Sequence, residues 1–221
     1  MTDRFRQSIT GPGALGGKPR RFTGWRRGRI LATRMLASAL CIGVFVATHP
    51  TDLHGMKDLL MALVGLYLVL VSIKGRIWCM LYIGGKKDRT LVVDGPYSRS
   101  RNPLYYYSTL GVVGIAAASG MLTAVAGLFL VVVAGNYIVI RREEKKLRLL
   151  HGDSFTDYCS RVPRFWPRWK LFQEAERHSF EPKLFHKTFW DAAGFLAGWL
   201  VVATAHLLHS IESLPRWVRF M

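Results

Sequence analysis

Cysteine is scarce in this chain, and the few present do not form a pattern. Cys41, Cys79 and Cys159 make no C-x-x-C pair and no zinc-ligand spacing, and nothing in them requires an oxidising compartment. No internal repeat is evident. No small-x-small cleavage site stands near Val46-Ala47-Thr48, and a long basic stretch precedes the first apolar run, so that run does not read as a signal peptide. Acid is also in short supply: 14 Asp and Glu face 31 Lys and Arg, for a formal net charge of +17 over 221 residues. Such a balance fits nucleic acid, an anionic membrane surface or an anionic small ligand.

Half of the residues are nonetheless hydrophobic. The two facts are compatible because the apolar and basic residues are segregated. Long apolar runs alternate with Arg/Lys-rich connectors, which makes the membrane the partner that explains most of the charge and leaves nucleic acid unneeded. Residues 1–29 read as a basic flexible tail, with Gly11-Pro12-Gly13 and Gly16-Gly17 opposing helix. A first span is expected at Leu31–Thr48 and a second at Leu59–Ile73, with Lys74 and Arg76 snorkelling at its end. The block 103–140 is too long for one helix and breaks at Ser119-Gly120 into a hairpin of about 103–118 and 121–140. A last span is expected over Thr188–Leu208.

The expected fold is therefore all-α and polytopic, with about five transmembrane helices and a cytosolic amphipathic extension. A membrane core would occupy 30–170, and a linker with a C-terminal membrane helix 171–221. Connectors 1–29, 74–102 and 141–187 carry eight, seven and twelve Lys and Arg; 49–58 and 209–221 carry one and two. The positive-inside rule then places the N-terminus and the richer connectors in the cytoplasm. A four-span version, with 188–208 lying on the surface, satisfies the same counts.

Two segments carry chemical information. The first is Val93–Tyr107, where Gly95-Pro96 reads as a turn, Asn102 as an N-cap and Pro103 as the first residue of a membrane helix. A helix start with Arg99 and Arg101 beside it can receive a carboxylate or phosphate. The same residues also suit a plain capped helix with headgroup-binding arginines. The second segment runs from Arg141 to Pro167. The hairpin's second helix continues past the membrane as a charged helix to about Leu150 and stops at Gly152. Phe155, Tyr158 and Val162 then recur at helical spacing, as in an interfacial helix. Glu143 and Glu144 can pair with neighbouring cations. Asn136 lies seven residues before Glu143 on the same face, and suits interhelical contact as well as ligand binding.

Together these segments resemble the membrane methyltransferases that include isoprenylcysteine carboxyl methyltransferase and the phospholipid N-methyltransferases. Gly95-Pro96-Tyr97, Arg101-Asn102-Pro103-Leu104-Tyr105, Glu143-Glu144 and the stretch Gly152–Pro167 follow that family's motifs in order, over about 74–167. Two positions depart: Asn102 stands for a histidine and Tyr107 for a glycine. The resemblance implies S-adenosylmethionine as cofactor, bound on the cytosolic side, and a lipophilic or lipid acceptor entering from the bilayer. It implies that Asn102, Tyr105 and Glu143, with Tyr97, Arg101 and Asn136, hold the donor. Glu144 and Arg161 would face the acceptor as catalytic residues, so that Arg161→Ala would abolish transfer and spare donor binding.

The stretch Tyr158–Pro163 also fits the ending of membrane sterol reductases, which would use NADPH. A non-catalytic protein of the same fold is a further alternative, motivated by the two departures. His206, His209 and Glu212 recur at three-residue spacing, but read as interfacial polar residues rather than as a metal site, and no metal is expected. Trp190, Trp199 and Trp217 read as interface anchors and core.

Overall fold

A computed structural model describes residues 55–84, 90–174 and 182–210. The expected basic tail, the expected span Leu31–Thr48, Cys41, Glu212 and Trp217 lie outside the described residues. Among the described residues the protein is all-helical and has no strand. It comprises α1 (Gly55–Ile83), α2 (Pro96–Arg99), α3 (Pro103–Ala117), α4 (Leu122–Arg161), a 3₁₀ turn at Trp169–Leu171, and α5 (Pro182–Ser210). Three helices are long and apolar enough to cross a membrane: Met56–Ile83, Leu122–Arg161 and Phe189–Leu207. The expected count of about five spans is thus not reached among the described residues.

The short α3 is the structural centre. Its 15 residues extend about 22 Å at ~1.5 Å each, less than the ~30 Å hydrocarbon core. It tolerates that length because α1, α4 and α5 all pack on it. Close approach to α1 comes from paired glycines: a Cβ on Gly65 would stand 2.5 Å from the Gly114 carbonyl oxygen, and one on Gly114 2.5 Å from that of Gly65. Only hydrogen at both positions lets the backbones meet, as small residues do between membrane helices. Val69, Ile115, Ala118 and Val202 bury the contact, and Trp199 packs against them. Trp190 is exposed.

The hairpin turn falls where the sequence places it, at Ser119-Gly120, with Gly120 at φ 71°. The end of α1 does not. That helix continues ten residues beyond Ile73 to Ile83. Lys74 is exposed, but Arg76 does not snorkel outward. Its Nη1 donates to Ser108 Oγ on α3, and its guanidinium lies 5.1 Å from the Phe195 ring of α5. A hydroxyl and an aromatic face inside the bundle compensate a cation that sequence reasoning sends to the headgroups.

Of the 40 residues of α4, the limb from Leu122 to His151 extends about 45 Å at ~1.5 Å each, well beyond the ~30 Å hydrocarbon core. Its membrane half shows Leu122, Leu130, Val131 and Ile138 outward, while Asn136, Ile140 and Glu144 at four-residue spacing form the stripe toward the protein. At Gly152 the backbone leaves the helix (φ 51°, ψ −124°) and resumes as a second limb. The apolar face of this limb is not spread on the bilayer surface. Phe155, Tyr158 and Val162 are buried together with Leu91, Val93, Leu147 and Cys159 of the protein itself.

Candidate active site

The site begins with a turn that only glycine can make. Gly95 sits at φ 61°, ψ −128°, and a Cβ there would lie 2.1 Å from the Tyr82 ring. Pro96 opens the short α2, and Ser98 Oγ donates to the Gly95 carbonyl at 2.7 Å. The chain then extends at Ser100 (φ −150°, ψ 144°) before Pro103 starts α3.

The segment 99–102 is held by the chain that follows α4. Pro163 and Pro167 keep that chain out of a helix, and it bends at Arg164–Trp166. Arg101 N–H donates to the Pro163 carbonyl at 2.9 Å, and Arg168 N–H donates to that of Arg99 at 2.9 Å. Ser100 Oγ donates to the Phe165 carbonyl at 2.9 Å, and Asn102 Nδ2 to that of Arg164 at 3.0 Å. Tyr158 adds a buried bond from its hydroxyl to the Tyr97 carbonyl at 2.7 Å.

Glu144 lies at the centre, 7 % exposed. Its Oε1 faces Arg101 Nη1 at 3.1 Å and Asn102 Nδ2 at 3.4 Å; its Oε2 accepts from Arg164 Nε at 3.0 Å. Arg101 Nη1 also reaches Cys159 Sγ at 2.9 Å. A carboxylate this deep is tolerable because two guanidiniums and an amide compensate its lost hydration. The cluster joins the start of α3, the emerging part of α4 and the Pro-bounded tail.

Tyr97 is buried beside this cluster. Burial above all, then Cys79, Tyr158, Glu143 and Tyr105, holds its phenol well above the usual tyrosine range. Glu143 and Tyr105 therefore lie within electrostatic reach of it. Arg101, Asn102 and Glu144 thus meet at the start of α3, whose first turn carries Tyr105; Glu143 precedes Glu144 on α4 and is half-buried. Asn102 sits at the N-cap, yet its side chain makes no capping bond; the amide is turned to Glu144 and the Arg164 carbonyl instead. Asn136 is set apart, donating to Thr109 Oγ1 at 2.9 Å across the α3–α4 contact. Arg161 is half exposed and pairs with Asp157 Oδ2 at 2.5 Å on the outer surface. Tyr107 places its ring against Gly75 of α1: a Cβ there would be 2.2 Å from it. The bulk of this ring on α3 is thus accommodated by a glycine on α1.

Sequence reasoning passed over Arg164, Ser100 and Cys159. The signal for Arg164 was Pro163: once proline ends the helix, the next residue no longer follows the periodicity that keeps Arg161 outside. His206 Nε2 and Asp58 Oδ1 come 3.2 and 3.0 Å from where a Gly120 Cβ would be. Among the described residues no three His, Cys, Asp or Glu gather as metal ligands do.

The donor set suits a zwitterionic sulfonium compound such as S-adenosylmethionine. Guanidiniums match its carboxylate, carboxylates match its ammonium and ribose hydroxyls, and aromatic rings match its sulfonium and adenine.

Residues 56–154 match the family described as phospholipid methyltransferase. The nickel-cobalt-cadmium resistance protein of Alcaligenes xylosoxydans xylosoxydans is 32 % identical over 192 residues, covering 87 % of this chain and 89 % of that protein. The cobalt-zinc-cadmium resistance protein of Cupriavidus metallidurans is 35 % identical over 181 residues, covering 82 % and 81 %. No solved structure matches.

Proposed function

Because this chain belongs to the phospholipid methyltransferase family of membrane proteins, we propose that it moves a methyl group from S-adenosylmethionine to a lipophilic acceptor reached from the bilayer. The observation that carries the reading is the Glu144 cluster, in which one buried carboxylate ties together all three parts of the candidate site. By the distribution of Lys and Arg, this end of the bundle is proposed to face the cytoplasm.

The bound sulfonium supplies an activated methyl carbon: a bond from the acceptor's lone pair forms as the carbon–sulfur bond breaks and its electrons return to sulfur. The chain's task is to position and desolvate. Tyr97, Tyr105 and Glu143, with Arg101, are proposed to hold the donor. Asn136 is proposed to support that wall by fixing α4 to α3 through Thr109. Both oxygens of Glu144 are engaged, so a proton taken there displaces one of its bonds. We assign it to positioning Arg101, Asn102 and Arg164 rather than to proton abstraction. Arg164, 39 % exposed at its side chain, is placed to orient an anionic acceptor, a role that Arg161 on the outer surface fills less well. A carboxylate acceptor, as in an isoprenylcysteine, needs no base; a lipid amine would give its proton to Glu143 or water.

The names of the two relatives suggest the setting, a cell exposed to divalent transition metals, with methylation of a membrane component as this chain's contribution. The test is a transfer assay with labelled S-adenosylmethionine on membranes holding the purified full chain, followed by identification of the labelled lipid. Label above that of an Arg164→Ala control supports the reading. Label no greater than that of membranes lacking the chain, or selective binding of NADPH in place of S-adenosylmethionine, defeats it; equal label in wild type and Arg164→Ala removes only Arg164 from the site.

A further inference from the structure

The tail that closes the site also builds a surface the methyl-transfer reading does not use. Between Arg164 and Phe172, Trp166 and Trp169 are 61 % and 59 % exposed, and Phe172 is 39 % exposed. Arg168 and Lys170, between and beside them, are exposed cations. Glu174 is the one acid between Pro163 and Glu174.

This surface is held rigidly. Arg99 places its guanidinium 4.6 Å from the Trp169 ring, 4.3 Å from Phe172 and 5.3 Å from Trp78 at the end of α1. Trp166 stands 6.1 Å from Tyr106 at the start of α3. Gly95 N–H donates to the Gln173 carbonyl at 2.7 Å, and Gln173 N–H to Ser98 Oγ at 3.0 Å. The two tryptophans therefore lie beside the C-terminal part of α1 and the start of α3, and amphipathic rings at such helix ends favour a headgroup layer. Cations beside them add attraction for an anionic lipid surface.

We propose that residues 166–172 form a seat for the headgroup of an anionic phospholipid, with its phosphate on Arg168 and Lys170 and the Trp166 and Trp169 rings beside its glycerol region. The inference rests on the chain's place in the membrane and the charge of this surface, and is independent of the methyl-transfer reading. It has a consequence for the candidate site. The Arg164 and Phe165 carbonyls, which hold Asn102 and Ser100, directly precede the seat, so an occupied seat steadies them.

The experiment is native mass spectrometry of the purified full chain, released from nanodiscs of mixed phosphatidylglycerol and phosphatidylcholine. The wild type is expected to retain phosphatidylglycerol in preference. Arg168→Gln/Lys170→Gln is expected to lose roughly tenfold of that preference, given the attraction of two surface cations. Lys145→Gln/Arg148→Gln, which removes two exposed cations from α4, is expected to keep it. Equal retention of both lipids by the wild type overturns the proposal, as does an equal loss in both double variants, which would mark diffuse charge. Trp166→Ser/Trp169→Ser supplies a further arm: dissociation of a dimer with lipid retention unchanged would show that a second copy covers this face, and would overturn the seat.

Discussion

Asn102 Nδ2 lies 3.4 Å from Glu144 Oε1, across 42 positions of sequence. The start of one helix and the emerging part of its hairpin partner therefore share a single polar cluster. The geometry fixes what each neighbouring substitution does.

Glu144→Gln leaves Arg101 and Arg164 facing each other with no charge between them. Removing one partner of a buried ion pair costs about 3–5 kcal/mol. The variant is expected to melt well below the wild type in detergent and to lose transfer by more than a hundredfold. A melting curve that overlays the wild type would remove Glu144 from the centre of the cluster.

Arg161 and Arg164 are three residues apart but belong to different surroundings. The Arg161–Asp157 pair is half exposed, and such pairs contribute about 0–1 kcal/mol. Arg161→Ala is expected to keep most activity, whereas Arg164→Ala is expected to abolish it. Initial rates for the two variants at matched expression decide between them; the reverse order returns the catalytic role to Arg161.

Asn102→Asp keeps the number of non-hydrogen atoms but sets a second acidic oxygen against Glu144 Oε1 and the Arg164 carbonyl. Asn102→Ala removes the same donor without adding charge. The aspartate is expected to be the more destabilising of the two at neutral pH and to recover toward the alanine variant as pH falls through the carboxylate range. Parallel melting series from pH 4 to 8, an interval set by the ordinary range near 4, test that ordering.

Gly95→Ala and Gly152→Ala both place a side chain at positive φ, a cost of about 1–3 kcal/mol. At Gly152 nothing stands within 4 Å, whereas at Gly95 the Tyr82 ring is in the way. The first substitution is therefore expected to lower stability by several degrees more than the second, measured by thermal unfolding of each in the same detergent.

Where the helices lie was readable because apolar runs and breakers act locally. Pro103 and Ser119-Gly120 bracket α3 as the sequence suggested, and Glu143-Glu144 follow the membrane half of α4 as the apolar run requires. What escaped was decided by contacts between distant segments. Arg76 turns inward because Ser108 and Phe195 await it from other helices, and nothing near residue 76 encodes that. Phe155, Tyr158 and Val162 show the periodicity of an interfacial face, but periodicity does not distinguish lipid from Leu91 and Val93 as the apolar partner. Arg164 was missed because the resemblance assigns the arginine role to Arg161, and which of the two arginines meets Glu144 is decided by the course of the chain after Pro163.

The family match ends at residue 154, yet Arg101, Ser100 and Asn102 meet their partners between Cys159 and Phe165. During synthesis the hairpin is thus complete well before its cluster can close, and Glu144 waits for an arginine still to leave the ribosome. A fragment trimmed to residues 56–154 would keep the hairpin and most of α4 and still be chemically unfinished. The smallest self-sufficient unit is set by the reach of these hydrogen bonds, and it extends at least to Arg168.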